Sequence, residues 1–428
     1  MKKLVYVIAL ALLLLGPSAC NRDDSAPAAP TQPTPPIQNE VPPAGTPAPT
    51  PEPAASQGTV TGIAATPMAA SGSDHTVILK ADGTVWTWGA NDQGQLGDGT
   101  TYERLTPAQV PGVDGIIAIA AGRGSGAGGD GGHTLALRYD GTVWGWGNGS
   151  NGRVGRAGPR RPVPAQLEGL YNVIAIAAGD RHTLALKSDG TVWGLGSNNN
   201  DQLGANAENV HDNPTPVQIN GFENIIAIAA GMRFSAALRD DGTVWTVGNC
   251  GFQRGYEARQ VQGLYNITAI SSGTSHTLAL RNDGTVWAWG DVTFAQVGDG
   301  SFGGVVSTPA QVQNLTDIVS ISAAHTHSFA VQENGNVWGW GNNNNGRLGD
   351  GTSGRYNIAM TPAILDGFDQ FAPMITGGVS SVAIANNGYV WAWGPNRDGE
   401  VGDGTTDTHY SPVRVLGYSG SGFLNVGR

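Results

Sequence analysis

Residues 172–196 read NVIAIAAGDRHTLALKSDGTVWGLG, and the fold follows from this stretch and its copies. Ile174, Ile176 and Ala178 alternate as a half-buried strand that Gly179 ends. After Asp180 and Arg181, a second alternating strand runs from His182 through Leu186. Asp189-Gly190 supplies a two-residue hairpin turn, because glycine tolerates the positive φ such turns demand. Val192 and Trp193 open a third strand, and a weaker fourth follows at Pro216-Val217-Gln218-Ile219.

The turn phrase recurs seven times: DGTVWTWG from Asp82, DGTVWGWG from Asp140, DGTVWGLG from Asp189, DGTVWTVG from Asp241, DGTVWAWG from Asp283, NGNVWGWG from Asn334 and NGYVWAWG from Asn387. All 12 tryptophans lie inside these copies, and successive turn glycines are 42 to 58 residues apart. A period of about fifty residues built of four short strands is one propeller blade. Seven such units around an axis close on themselves and leave no long sheet edge exposed. The fold expected over residues 59–428 is therefore all-β, a seven-bladed β-propeller of four-stranded antiparallel blades. Two segments could pair into blade one, residues 67–70 and residues 423–426, and the sequence leaves both open.

Composition agrees with this reading. The chain of 428 residues carries 65 Gly and 25 Pro with only 13% charged residues, which suits a turn-dense β protein. A net charge of −11 gives no support for nucleic-acid binding. Lys2 and Lys3, an apolar run over 4–15 and small residues ahead of Cys20 make a secretory signal peptide over 1–19, too short to cross a bilayer. It resembles a bacterial lipoprotein signal, which implies lipidation of Cys20. Pro17 stands where that pattern usually has Leu, and cleavage after Ala19 is the alternative. Residues 20–58 are rich in Pro, Ala and Thr without apolar periodicity, and read as a disordered tether. The expected location is the cell envelope, at the outer membrane or cell surface, with the lipid as the one membrane attachment. Cys250 is the only other cysteine and is expected to be a buried, inert thiol.

The combination GxxHTLAL–DGTVWxWG–xNxxGQLGDGT resembles the repeat of the regulator of chromosome condensation family, over about residues 60–428. Its second half stands as NDQGQLGDGT (91–100), NNNGRLGDGT (343–352) and NRDGEVGDGT (396–405), partly as QVGDGS (296–301), and is missing from the short fourth repeat. The resemblance implies a seven-bladed β-propeller that recognises proteins through one face. The family's eukaryotic founder exchanges nucleotide on a nuclear GTPase, and a related exported propeller inhibits a β-lactamase. What carries over is recognition by a face.

The repeated histidines His75, His133, His182, His276 and His327 fill one slot in successive repeats, so they ring the axis and a structural role is expected. The Gly-Asp-Gly turns read as turns, although calcium binding there is left open. No nucleophile elbow, zinc-binding HExxH or phosphate loop occurs, and AGRGSGAGGDGG (121–132) reads as a flexible loop. No catalytic residue, metal site or cofactor is therefore expected. The Gly-x-x-His loops and the long loops after the Trp strand emerge on one face, and the residues that vary collect there. The candidate partner-binding residues from the short loops are Arg123, Asp180, Arg181, Met232, Arg233, Phe234 and His325. From the long loops they are Tyr102, Phe294, Phe302 and Tyr356, with Arg104, Arg153, Arg156, Arg160, Arg161, Arg355 and Tyr410 beside them. Aromatics and arginines are the residues enriched at binding hot spots. The expected function is non-catalytic binding of an exported or cell-surface protein by a monomer, and the alternative is a cell-wall or carbohydrate-binding propeller.

Overall fold

The computed structural model describes residues 64–124, 132–156, 158–204, 213–250, 254–352, 354, 356–368 and 371–427. The signal peptide, Cys20, the tether, most of the 123–132 insertion and Arg355 lie outside the described residues. The rest forms seven four-stranded antiparallel sheets, each a meander of consecutive strands. Blade 1 runs from strand Met68–Ser71 to Arg104–Gln109, blade 2 from Ile116–Ala121 to Arg160–Gln166, and blade 3 from Val173–Ala178 to Asn213–Gln218. Blade 4 runs from Ile225–Ala230 to Arg254–Gln260, and blade 5 from Ile267–Ser272 to Val305–Gln311. Blade 6 runs from Ile318–Ala323 to Ile358–Ile364, and blade 7 from Phe371–Gly377 to His409–Arg414.

The second strand of each blade is buried on both faces, as in His75–Leu79, because neighbouring blades cover both sides of the sheet. The first strand departs from the alternation expected for it. Ile174 is 44% exposed while Val173, Ala175 and Ile176 are buried. The ladder to the next strand pairs Leu186 with Ala175 and Lys187 with Val173, so Ile174 sits in a bulge that turns it outward. Cys250 is a buried thiol, as its place after a Trp strand implies, with its Sγ 3.9 Å from Thr246 Oγ1.

The second tryptophan of five blades, Trp88, Trp146, Trp289, Trp340 and Trp393, is almost fully buried against the preceding blade. Trp88, for example, shares its core with Val382, Ile384 and Val401 of blade 7. A hydrogen-bonded unit repeats at these contacts. The carbonyl of Gln95 accepts both the Thr134 hydroxyl at 2.8 Å and the Trp146 indole N–H at 2.9 Å. Gln296 does the same for Ser328 and Trp340, Arg347 for Ser381 and Trp393, and Glu400 for Thr76 and Trp88. The glycine two residues on has to lack a side chain: a Cβ on Gly97 would lie 2.7 Å from the Trp146 indole nitrogen. This is why the sequence reads Gly-Gln-Leu-Gly.

The histidine slot lies on the same contacts. His75 Nε2 meets Thr134 Oγ1 at 2.9 Å, and His133, His182, His276 and His327 reach Thr183, Ser235, Ser328 and Ser381 in the same way. Each hydroxyl has given its proton to a carbonyl, so the imidazole must donate from Nε2 and keep Nδ1 bare. All five Nδ1 atoms lack a partner, and burial holds all five rings in the neutral form. The structural role expected of these residues is what the geometry gives them.

At the contacts of blades 2 and 3 and of blades 3 and 4 only the hydroxyl half is present, from Thr183 to Arg153 O and from Ser235 to Gln202 O, because Leu195 and Val247 stand in place of the second tryptophan. The contact of blades 4 and 5 departs further. Phe234 replaces the histidine in blade 4, and at the contact with blade 5 Trp289 Nε1 has no hydrogen-bond partner. Thr277 instead meets Ser272 of its own blade at 3.2 Å.

Ring closure uses both termini, in different places. Met68–Ser71 is the first strand of blade 1. The tail bridges Tyr389 to Asn425, and Val426 donates to Gly388 O and accepts from Ala81 N–H, each at 2.9 Å. Val426 thus holds the blade 7 turn as Ile116 and Val173 hold the turns at Gly83 and Gly141.

Candidate functional site

In six blades the short loop is pinned to the start of its own blade's long loop by a main-chain bond, as from Ala90 N–H to Asp74 O at 2.7 Å, Ser197 to Arg181 at 2.8 Å and Asn249 to Arg233 at 2.8 Å, and in blade 7 the Ser380 hydroxyl donates to Pro395 O instead. Short and long loops therefore share one face. The hairpin turns occupy the other, where their carbonyls bind the link to the next blade. The long loops are held by an Asn–Asp clamp. Asn91 accepts the Leu96 N–H on its Oδ1 and donates to Asp98, which also takes the Thr100 N–H and hydroxyl. Asn343 and Asp350, and Asn396 and Asp403, repeat it. The Asp oxygens of the Gly-Asp-Gly turns are thus engaged within the turn.

The sequence-predicted residues fall into three groups. Tyr102 (79% exposed), Phe302 (56%) and Tyr356 (84%) stand out at the rim, with Arg233 exposed nearer the axis. Arg181, Met232, His325 and Phe294 are half-buried. The third group corrects the expectation. Phe234 is 2% exposed, packed over Gly231 in the core of blades 4 and 5. The histidine slot faces the next blade, so a variant residue there is still an inward one. Asp180 and Arg153 are also buried, and Arg153 donates to the Asp180 carbonyl at 2.7 Å. Arg153 sits where blade 1 has Gln95, a position that always turns toward the next blade.

Arg123 is not a rim residue either. It reaches across the axis from blade 2 and donates to the carbonyls of Ala323 in blade 6 and Gly377 in blade 7, both at 3.3 Å. His325 lies close by and is held neutral, with a pKa of about 3, by burial and then by Arg123 and Arg347. Burial lifts the Asp180 carboxyl to about 6, although Arg123, Arg153, Arg181 and Arg233 all pull it down.

A second charged group was missed in the sequence. Asp74 and Asp398 meet Glu400 where blade 7 closes on blade 1, with carboxylate oxygens within 4.8 Å of one another. Burial raises Glu400 to about 8 and Asp74 to about 6, with Asp398 adding to both. Such a set could hold a cation, yet Glu400 also has a structural reason. It takes the slot of Gln95, and its Oε2 accepts the Asp398 N–H at 2.9 Å as Gln95 Oε1 accepts that of Gln93. The signal for it was Glu at a position that other repeats fill with Gln.

Among the described residues, carboxylates gather at the closure of blades 7 and 1, and Arg123, Arg153, Arg181 and Arg233 gather around Asp180 in blades 2 to 4. Comparison with known proteins follows the fold. The RCC1-like domain model matches residues 124–427, and the regulator of chromosome condensation (RCC1) repeat model matches 82–127. The chain is 30% identical over 363 residues to the E3 ubiquitin-protein ligase HERC2 of Mus musculus, covering 83% of this chain but only 6% of that protein's length. It is 31% identical over 356 residues to the ultraviolet-B receptor UVR8 of Arabidopsis thaliana, covering 81% of this chain and 68% of the receptor. Among solved structures, Prp20p from Saccharomyces cerevisiae superimposes with a TM-score of 0.67 at 24% identity, over 82% of this chain and 88% of that one.

Proposed function

Because the chain belongs to the regulator of chromosome condensation (RCC1) repeat family, we propose that it is a non-catalytic propeller that binds a partner protein through its loop face. The observation that carries the reading is the rim itself. Tyr102, Phe302 and Tyr356 hold large aromatic side chains mostly in solvent on long loops whose bases are fixed by the Asn–Asp clamp or its turn. Aromatics displayed on a rigid frame, beside charged groups of both signs, suit recognition of a protein surface. Residues 1–58 support a setting for it: an exported protein, lipidated at Cys20 and displayed on a Pro-rich spacer, whose partner is another exported or cell-surface protein. The test is crosslinking of the full chain in its native envelope, followed by mass spectrometry. The wild-type chain should capture a protein that the Tyr102→Ala, Phe302→Ala, Tyr356→Ala variant captures several-fold less, at an unchanged melting temperature. Capture of glycan and no protein would overturn the reading in favour of a carbohydrate-binding propeller.

A further inference from the structure

We propose that the outer strand of blade 5 is a docking seat for a glycine-rich loop of the partner protein, shaped like the loops with which this chain seals its other blades. The inference rests on the loop-face reading above and names one contact within it. In three blades the long loop leans on the outer strand of the next blade in one way. Gly99 N–H of blade 1 donates to Pro162 O of blade 2 at 2.9 Å, Gly351 of blade 6 to Tyr410 O of blade 7 at 2.9 Å, and Gly404 of blade 7 to Leu105 O of blade 1 at 3.0 Å. Five residues earlier a second glycine lies against the same acceptor residue. A Cβ on Gly94 would fall 2.5 Å from Pro162 Cα, and one on Gly346 would fall 2.6 Å from Tyr410 Cα.

Blade 5 has the accepting strand without the loop. In blade 4, Asn249 pairs directly with Arg254, and the four residues between them are too few for the ten-residue unit of 91–100. The residue that aligns with Pro162, Tyr410 and Leu105, two before the outer-strand proline, is Ser307, and it is exposed together with Thr308. Among the described residues no loop N–H meets the Ser307 carbonyl. At the inner end of the same contact the Trp289 indole N–H is buried with no acceptor, where Trp146 has Gln95 O at 2.9 Å. The contact thus offers an acceptor at its outer end and an unmet donor at its inner end, and a main-chain segment satisfies both. The approach seen in the other blades leaves no room for a Cβ, so the segment that fits carries glycine where Gly94 stands.

The probe is a synthetic peptide with the sequence of residues 90–101, ANDQGQLGDGTT, which contains both partners of its Asn–Asp clamp. Titrated against the full chain, it should bind at one site. Alanine in place of its first glycine adds the Cβ, and N-methylglycine in place of its third removes the N–H; each should weaken binding about tenfold. A chain whose residues 250–253 are replaced by the 90–103 loop should melt higher and bind no peptide. Thr308→Arg, at an exposed side chain beside the seat, should weaken the peptide several-fold at an unchanged melting temperature, which tests the seat even where the graft does not fold. A parent peptide that does not bind, or that binds no better than its two variants, overturns the proposal; the loop-face reading survives if the Tyr102→Ala, Phe302→Ala, Tyr356→Ala variant still captures less protein, and falls as well if it does not. A chain that dimerises in solution and becomes monomeric on grafting the loop would also overturn the proposal, by giving the seat to a second copy.

Discussion

Replacing Glu400 by Gln should stabilise the protein at neutral pH and leave it unchanged in acid. Glu400 is 3% exposed and occupies a slot that Gln95, Gln202 and Gln296 fill in other blades. In each, the side-chain oxygen accepts the main-chain N–H two residues earlier, at 2.8 to 2.9 Å. Burial, with Asp398 and Asp74 adding to it, raises the Glu400 carboxyl from 4.5 to about 8. The folded value lies above the unfolded one, so the group's contribution is complete below pH 4.5 and is lost as the pH rises toward 8. At pH 7 the folded chain keeps a proton that the unfolded chain has released. Each pH unit above 4.5 then costs about 1.4 kcal/mol, or about 3 kcal/mol at pH 7. Gln carries no such penalty and keeps the carbonyl that binds Thr76 and Trp88. With an unfolding entropy of about 2.1 cal/mol/K per residue over the ring, that gain is roughly 4 °C in melting temperature. Thermal melts followed by tryptophan fluorescence at pH 4.5, 7 and 8.5 would measure it. An E400Q variant no more stable than wild type at pH 7, or one with the same gain at pH 4.5 as at pH 7, would refute the argument.

Two further outcomes follow from the contacts between blades. Trp146→Phe removes the indole donor to Gln95 O, whereas Trp289→Phe removes a donor that has no acceptor, so the first should cost about 1 kcal/mol more in chemical denaturation; equal losses would show the indole bond to be idle. The five buried histidines have folded pKa values below the usual 6.5, with His75 near 4 and His182 and His276 near 3. Their contribution is complete above pH 6.5 and is lost as the pH falls through 6.5 toward those values, at up to about 1.4 kcal/mol per pH unit for each ring. His182→Phe, which copies the natural Phe234, should flatten that acid slope in melts between pH 4 and 7, and an unchanged slope would mean that His182 is not held neutral.

The ring was legible in the sequence because its determinants are periodic and local. The Asp-Gly and Asn-Gly turns, the Val-Trp strands and the histidine slot each repeat, and seven copies average out the deviations of any one. Direction was harder to read. Phe234 and Arg153 looked like surface variation because they break the repeat, but the repeat specifies where a position points and not which residue fills it. Phe234 therefore packs inward in a histidine's place, and Arg153 turns toward the next blade in a glutamine's. The bulge that exposes Ile174 and the reach of Arg123 across the axis depend on neighbours far away in sequence, so no local pattern announces them. The Asp74, Asp398 and Glu400 cluster joins residues from opposite ends of the propeller sequence. It becomes visible only once the ring is closed.

The contact between blades 4 and 5 gives this closed ring a preferred place to break. A hoop under uniform stress opens at its thinnest section, and here that section is chemical: among the described residues, a phenylalanine stands in place of the histidine donor and an indole N–H is left unpaired. Apolar packing and two main-chain bonds, Met232 N–H to Thr274 O at 2.9 Å and Ile267 N–H to Gly242 O at 3.1 Å, hold blade 4 to blade 5. The ring is closed elsewhere, where Val426 ties blade 7 to blade 1. The closure of blades 7 and 1 is thus reinforced, and the contact without these side-chain bonds lies on the far side, in the middle of the sequence.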